Sequence, residues 1–483
     1  MNKIYPLLLS LLAFSCKHQP STPPPPQPPQ APYSVTPAFV KMIQEFQGVE
    51  VFPLISSEDV LPESPNFIYG GQPDGAGIIA AQDGKGYLMI TTHEANRSVS
   101  RIYLDSNFKP MKGEYIVDFT GGVDRLCSAT LATPEIHGFG PIFLAGGESN
   151  IESRILAVSP FANVSEKGIP NKGLPALGRR KAENALPLPK EVYPNQMAIF
   201  VTEDDANGQM YLYTSSSMGD LSNGTLHVLR RKDLNPIETN IVMGQDYEVE
   251  FVPILADVRQ MSGVRLDSIS RWGLQAINFA RLEDVDYGKG SLENNRNLYF
   301  TATGVSMGGT TPYNDKTMWG RVYQLTLDEN TPLQGKLRLI VDGDNDVIYP
   351  KGLGIINPDN ICVTEHYAYI QEDGDSYYAN AAHDSYIWQY NLTSKVLKPF
   401  LSMHHQRDNL DFSKKYNVVG NNRLGSWEFG AMYDVSKESG MEGAFLVNIH
   451  SHTWQNNKFI NPDGGGSGSA EGGQTVLLKG VPK

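Results

Sequence analysis

Glu203-Asp204-Asp205-Ala206-Asn207-Gly208-Gln209-Met210-Tyr211-Leu212-Tyr213-Thr214 runs from an acidic turn straight into a strand, and Thr225-Leu226-His227-Val228-Leu229 follows after one loop. Aromatic and β-branched residues alternating between Gly, Asn and Asp turns mark half-buried strands. The same cadence recurs at Gly86 to Thr91, Gly140 to Ala145, Asn297 to Thr301, Gly320 to Leu325, Tyr367 to Ile370, Tyr386 to Tyr390 and Ala444 to Ile449. Many short strands in one undivided stretch favour an all-β propeller over a sandwich, and six blades are expected. Residues 36–483 read as a single domain. Gln474 to Lys479 reads as a last strand that closes a blade begun by the N-terminal segment, which removes an open edge. Helices are expected only at Pro37 to Phe46 and Leu266 to Ile277.

The chain has 483 residues and a formal net charge of −13, with no basic run. Nucleic acid is thereby excluded as an expected partner, because binding it needs clustered Lys and Arg. Met1-Asn2-Lys3 and the apolar run Ile4 to Phe14 read as a secretory signal over residues 1–15, too short to span a bilayer. Leu12-Ala13-Phe14-Ser15-Cys16 resembles a bacterial lipoprotein box, with Cys16 as the acylated residue. Residues 16–35, with four consecutive prolines from Pro23 to Pro26, form an extended spacer. An exported protein of the cell envelope, monomeric and held to a membrane through a lipid anchor, is the expectation.

Six acidic clusters flank strands: His93-Glu94-Ala95-Asn96, Glu203-Asp204-Asp205, Arg281-Leu282-Glu283-Asp284, Asn357-Pro358-Asp359-Asn360, Gln371-Glu372-Asp373-Gly374 and Trp427-Glu428-Phe429-Gly430. Carboxylates delivered by several β-segments suit Ca²⁺, which takes six to eight oxygen ligands. In an extended segment Arg281 and Glu283 share a face, so a phosphate-binding fork sits beside a cation ligand. A surface ion pair is the plainer reading of that tripeptide. Cys127 and Glu148 flank a Gly-rich strand-turn. By residue type Cys127 stays open between a buried structural thiol and a soft ligand for iron or zinc. Cys362, inside Ile361-Cys362-Val363, reads as core. Asp342-Gly343-Asp344-Asn345-Asp346 lacks the Gly and Glu of an EF-hand loop and reads as a turn. His450-Ser451-His452 reads as a polar turn by default. No nucleophile elbow, Walker loop or dinucleotide fingerprint occurs.

Taken in order, these segments resemble the PhoX family of bacterial alkaline phosphatases. The carriers are Gly86 to Glu94, Cys127 to Glu148, Glu203 to Tyr213, Arg281-Leu282-Glu283-Asp284, Asn357 to Gly374, and Glu428 with Phe445 to His450. The likeness runs from about residue 60 to the end and is thin between motifs. Leu131 to Ile142 departs from the family's pattern, and the lipobox replaces a twin-arginine signal. The resemblance implies a six-bladed propeller with Ca²⁺ and Fe³⁺ in its central channel, hydrolysing small phosphate monoesters. It implies Cys127 as an iron ligand, Glu203, Glu283, Asp359 and Glu428 as ligands bridging iron and calcium, Glu148 as a further ligand, and Arg281 on the phosphate oxygens. Arg281 and Glu283 would be the catalytic pair. Two other readings share the acidic pattern: a non-catalytic calcium-binding surface propeller, and a calcium-dependent lactonase or phosphotriesterase.

Overall fold

The computed structural model describes residues 32–118, 124–167, 173–305, 315–345, 354–374, 382–419, 423–460 and 469–483; the expected signal segment and Cys16 lie outside them. Antiparallel strands radiate in six blades. Their innermost strands are Pro73–Ala80, Leu126–Ala132, Ala182–Pro187, Leu282–Tyr287, Pro358–Val363 and Glu428–Asp434, taken here as blades 1 to 6 in that order. Each inner strand packs against the next, and the sixth packs against the first, so the ring closes. Among the described residues the hydrogen-bonded sheets number five, because blades 3 and 4 fuse at their outer edges, where Asp246–Pro253 pairs with Gln334–Asp342.

An apolar layer fills each gap between neighbouring blades. Leu88, Leu126 and Phe143 pack between blades 1 and 2, Leu144, Met197 and Leu226 between 2 and 3, and Phe200, Phe279 and Tyr323 between 3 and 4. Val322, Ile361 and Trp388 fill the next gap, Tyr369, Phe429 and Phe445 the fifth, and Met89, Leu446 and Leu477 the last. Period-2 alternation places these side chains on both faces of each blade, so every blade is buried twice. The N-terminal segment secures the closure. Val40–Met42 adds to Leu397–Met403 on blade 5, and Glu50–Ser56 pairs with the C-terminal Glu471–Lys479 on blade 6. Phe39 lies fully buried among Tyr416, Trp427 and Trp454.

Two expectations for helices change. Pro37 to Phe46 forms a short strand and one 3₁₀ turn, because its backbone is recruited to a sheet edge. Leu266 to Ile277 is helical only in part, as Gly263–Ser268 followed by a π-helical turn at Ile269–Gly273.

Candidate metal centre

Every inner strand carries a β-bulge near its start, between Pro73 and Ala76, Leu126 and Ala129, Ala182 and Ala185, Leu282 and Val285, Pro358 and Ile361, and Phe429 and Met432. A bulge inserts one extra residue and re-aims side chains. Here it turns two successive residues toward the channel in each blade. The first of each pair is Asp74, Cys127, Glu183, Glu283, Asp359 or Gly430. The second is Gly75, Ser128, Asn184, Asp284, Asn360 or Ala431.

In five blades the residue following the second strand supplies a matching level, Glu94, Glu148, Asp204, Thr303 and Asp373; in blade 6 His450, inside the longer second strand Phe445–Gln455, takes that level. In those five blades the residue's amide donates to the carbonyl of the residue before the inner strand, as in Glu94 to Gln72 (3.0 Å), Glu148 to Arg125 (2.9 Å), Asp204 to Lys181 (3.0 Å), Thr303 to Arg281 (2.9 Å) and Asp373 to Asn357 (2.9 Å). Gln72, Arg281 and Asn357 adopt positive φ at that shared position (46°, 57° and 50°). Left-handed backbone in non-Gly residues is uncommon and persists where the surroundings impose it.

The upper level is a ring of acids. Ligand-type atoms of Asp74, Glu94 and Cys127 lie within 4.8 Å of one another, as do those of Cys127, Glu148 and Glu183, and those of Glu183, Glu283 and Asp359. The Cys127 thiol donates to Glu148 Oε2 at 2.8 Å. Burial, then repulsion from Glu148 and Glu183, pushes that thiol well above its usual range. Burial also raises Glu148, Glu183, Glu283 and Asp359, reinforced in each by neighbouring carboxylates. Asp204 goes the other way: burial opposes its ionisation, but Arg281 overrides it and holds the group down at about 2. Buried carboxylates in such excess ionise only where cations neutralise them. The donor set of many oxygens and one thiol fits hard cations with one softer metal at Cys127. Asp74 Oδ1 is buried and has no hydrogen-bond partner, which leaves it open to such an ion.

The lower level is tied together by hydrogen bonds. Asn360 donates across the channel to Ser128 Oγ at 2.6 Å, and Asn184 donates to Asp284 at 2.5 Å. Thr303 donates its hydroxyl to the Pro358 carbonyl at 2.9 Å and so braces blades 4 and 5. Gly146 lets blade 2 approach blade 3 closely, since a Cβ there would overlap the Glu183 carbonyl. Gly146→Ala should therefore cost about 1–3 kcal/mol and displace Glu183. A thermal unfolding midpoint with parallel metal analysis checks this; an unchanged midpoint and metal content would refute it.

Three cations stand at the rim on adjacent blades, in the residue before each inner strand. Arg281 contacts Asp204 Oδ1 at 2.9 Å, Glu283 Oε1 at 3.0 Å and Asp373 Oδ2 at 3.2 Å. Arg125 contacts Glu94 at 2.6 Å, and Lys181 contacts Asp205 at 3.0 Å.

Of the residues expected from sequence, Cys127, Glu148, Glu283 and Asp359 come together in the ring with Arg281 at its rim. Glu428 lies one residue before the bulge of blade 6 and contacts His450 and His452, each at 2.9 Å. Glu203 does not join them. Its side chain turns away from the channel, accepts from the Gln209 amide at 3.2 Å and faces Arg180, while Asp204 takes the ring position. Alternation along the strand decides which of the two faces the channel. Glu94 and Asp373 belong at the centre, whereas Glu372 braces blade 5 through the Ile356 and Tyr386 amides and the Trp388 indole. Sequence reading missed Asp74, Glu183, Asp204, Arg125 and Lys181. The signal was present as a repeated tripeptide of polar, apolar or Pro, then ligand: Gln72-Pro73-Asp74, Arg125-Leu126-Cys127, Lys181-Ala182-Glu183, Arg281-Leu282-Glu283 and Asn357-Pro358-Asp359.

Fold and site define a β-propeller whose channel mouth carries an acidic ring. Among solved structures, PhoX from Pseudomonas fluorescens in complex with vanadate is similar at a TM-score of 0.61, with 13% identity over 90% of this chain and 95% of that one. The PQQ-bound aldose sugar dehydrogenase of Streptomyces coelicolor reaches a TM-score of 0.39 at 9% identity, over 89% and 98% of the two chains. The first likeness establishes the propeller fold, and the second is too distant to carry an argument. No family model and no curated protein matches the chain.

Proposed function

We propose that this chain is a metal-dependent phosphomonoesterase that releases inorganic phosphate from small organic esters at a centre of Ca²⁺ and Fe³⁺, as an exported and lipid-anchored protein of the cell envelope. The observation that carries the reading is that Arg281 contacts the ring carboxylate Glu283 at 3.0 Å, with Arg125 and Lys181 at the equivalent positions of adjacent blades. An acidic protein repels phosphate, and only a locally cationic mouth reverses that. The fold neighbour described with vanadate, a transition-state analogue, supports the same class of substrate.

Bound cations would supply Lewis acidity and neutralise charge on the phosphoryl oxygens. Cys127, Glu148, Glu183, Glu283 and Asp359 would hold them. Arg281 offers a planar fork that matches two phosphate oxygens, and Asp204 and Asp373 fix its orientation from both sides. Because these groups are set before the ester arrives, little orientational entropy remains to be lost. The Ser128–Asn360 and Asn184–Asp284 bridges lie on the level beneath.

Protein reconstituted with calcium and iron should hydrolyse p-nitrophenyl phosphate with an alkaline optimum, and EDTA should abolish turnover. No release of p-nitrophenol from the loaded protein would refute the reading. Lactone or paraoxon turnover at comparable rates would favour the lactonase or phosphotriesterase class instead.

A further inference from the structure

Blade 6 departs from the pattern of the ring. Its bulge carries Gly430 where the other blades carry Asp, Glu or Cys, and the partner position carries His450. A glycine is required there, because a Cβ would sit 2.9 Å from His450 Nε2 and press on the Pro73 carbonyl. The missing carboxylate is replaced by a different donor set. Atoms of Glu428, His450 and His452 lie within 4.8 Å of one another.

The contacts around these imidazoles fix one nitrogen of each as a donor. His450 Nε2 lies 2.9 Å from the Pro73 carbonyl, which can only accept, so Nε2 carries a proton. His450 Nδ1, in a residue 1% exposed, faces Glu428 Oε1 at 2.9 Å. His452 Nδ1 lies 2.8 Å from Glu471 Oε1 and so carries a proton, while its Nε2 lies 2.9 Å from Glu428 Oε2. Gln72 donates to Glu471 Oε2 at 3.1 Å and fixes the carboxylate. The remaining nitrogen of each ring faces one oxygen of Glu428 at 2.9 Å, so both rings and the carboxylate converge on one point. Protonated imidazoles would pair with the carboxylate there, and a bound metal ion would replace those protons with one shared cation. Metal-bound histidines almost always donate their second N–H to a carboxylate or carbonyl, which is the arrangement found here.

We infer that Glu428, His450 Nδ1 and His452 Nε2 form a separate site for one divalent first-row transition metal, distinct from the oxygen and thiol ring. Two imidazoles with one carboxylate suit zinc, iron(II) or cobalt(II) and disfavour calcium, which takes oxygen donors. Glu471 is a positioning residue that orients His452. The site stands whether or not the chain hydrolyses phosphate esters.

The test uses the full chain with Cys127→Ser, which removes the thiolate from the ring, in saturating Ca²⁺ to occupy the oxygen donors. Titration with Co²⁺, followed by its visible absorption and by calorimetry, should show one bound equivalent. That equivalent should vanish when His452→Gln is added, with calcium content unchanged as the check of folding. Glu471→Gln should weaken Co²⁺ binding by about 10–100-fold. Anomalous diffraction from a Co²⁺-soaked crystal of the natural chain should place the ion against His450 and His452, independently of either variant. Absence of Co²⁺ uptake in the Cys127→Ser protein, equal uptake with and without His452→Gln, or an anomalous peak elsewhere would overturn the assignment. In that case the imidazoles carry protons in place of a metal.

Discussion

Glu283→Ala is expected to lower kcat/KM for p-nitrophenyl phosphate by about 10²–10³-fold, equivalent to roughly 3–4 kcal/mol of transition-state stabilisation. Glu283 is 2% exposed, sits within 4.8 Å of Glu183 and Asp359 donor atoms, and contacts Arg281 at 3.0 Å. Its removal takes a shared donor from the cation ring and frees Arg281 to swing toward Asp204 and Asp373, so charge and alignment fail together. The informative contrast is Glu203→Gln. Glu203 lies one residue from the ring in sequence but faces Arg180 and Gln209, and the amide can still accept from the Gln209 N–H. Its expected activity is near that of the natural chain. Steady-state kinetics on both variants, with metal content measured in parallel, decides the matter. Full activity in Glu283→Ala, or a collapse in Glu203→Gln with folding intact, would place the centre elsewhere.

Chelation should destabilise the protein, and more so at higher pH. Asp74, Glu148, Glu183, Glu283 and Asp359 are all raised well above ordinary carboxyl values by burial first and by neighbouring carboxylates second. A carboxyl raised in the folded state keeps its proton where the unfolded chain has lost it. Below about pH 4, both states are protonated and no penalty exists. As pH climbs from there toward the folded values, the unfolded state releases protons first, so stability falls with rising pH. Cations reverse this, because they bind the ionised ring only in the folded chain. Each site held at about 100 times its Kd adds about 2.7 kcal/mol, and protons compete for the same oxygens. The unfolding midpoint with EDTA should thus fall between about pH 5 and about pH 8, and the gap to the calcium-loaded protein should widen. Thermal denaturation at both pH values, with and without chelator, checks it. A gap that narrows as pH rises would refute it.

The strands legible in the sequence are informative about what was not. Tyr87–His93, Ile142–Gly147, Asn297–Ala302, Tyr367–Glu372 and Phe445–Gln455 all correspond to runs that read as strands, and all are second strands, flanked on both sides within a blade. Among the inner strands, Ile361-Cys362-Val363 alone read as one. Pro73–Ala80, Leu126–Ala132, Ala182–Pro187, Leu282–Tyr287 and Glu428–Asp434 did not, because their bulges break the two-residue period and polar ligands replace apolar alternation. The strands that build the site resembled acidic turns for the same reason that they build it.

Composition and alternation by themselves determined an all-β chain, the propeller class, the closing role of the terminal strands, and the residue types available for cations and phosphate. Those are local properties, written in period-2 burial and in the chemistry of single side chains. Which acid faces the channel was decided only by tertiary structure. Glu203 and Asp204 are neighbours of the same charge, and strand direction sends one to Arg180 and the other to Arg281. Asp74 and Glu183 join Cys127, and His450 meets His452 and Glu428, because six blades close into one ring. Closure over such sequence distances is a global packing event that no local pattern encodes.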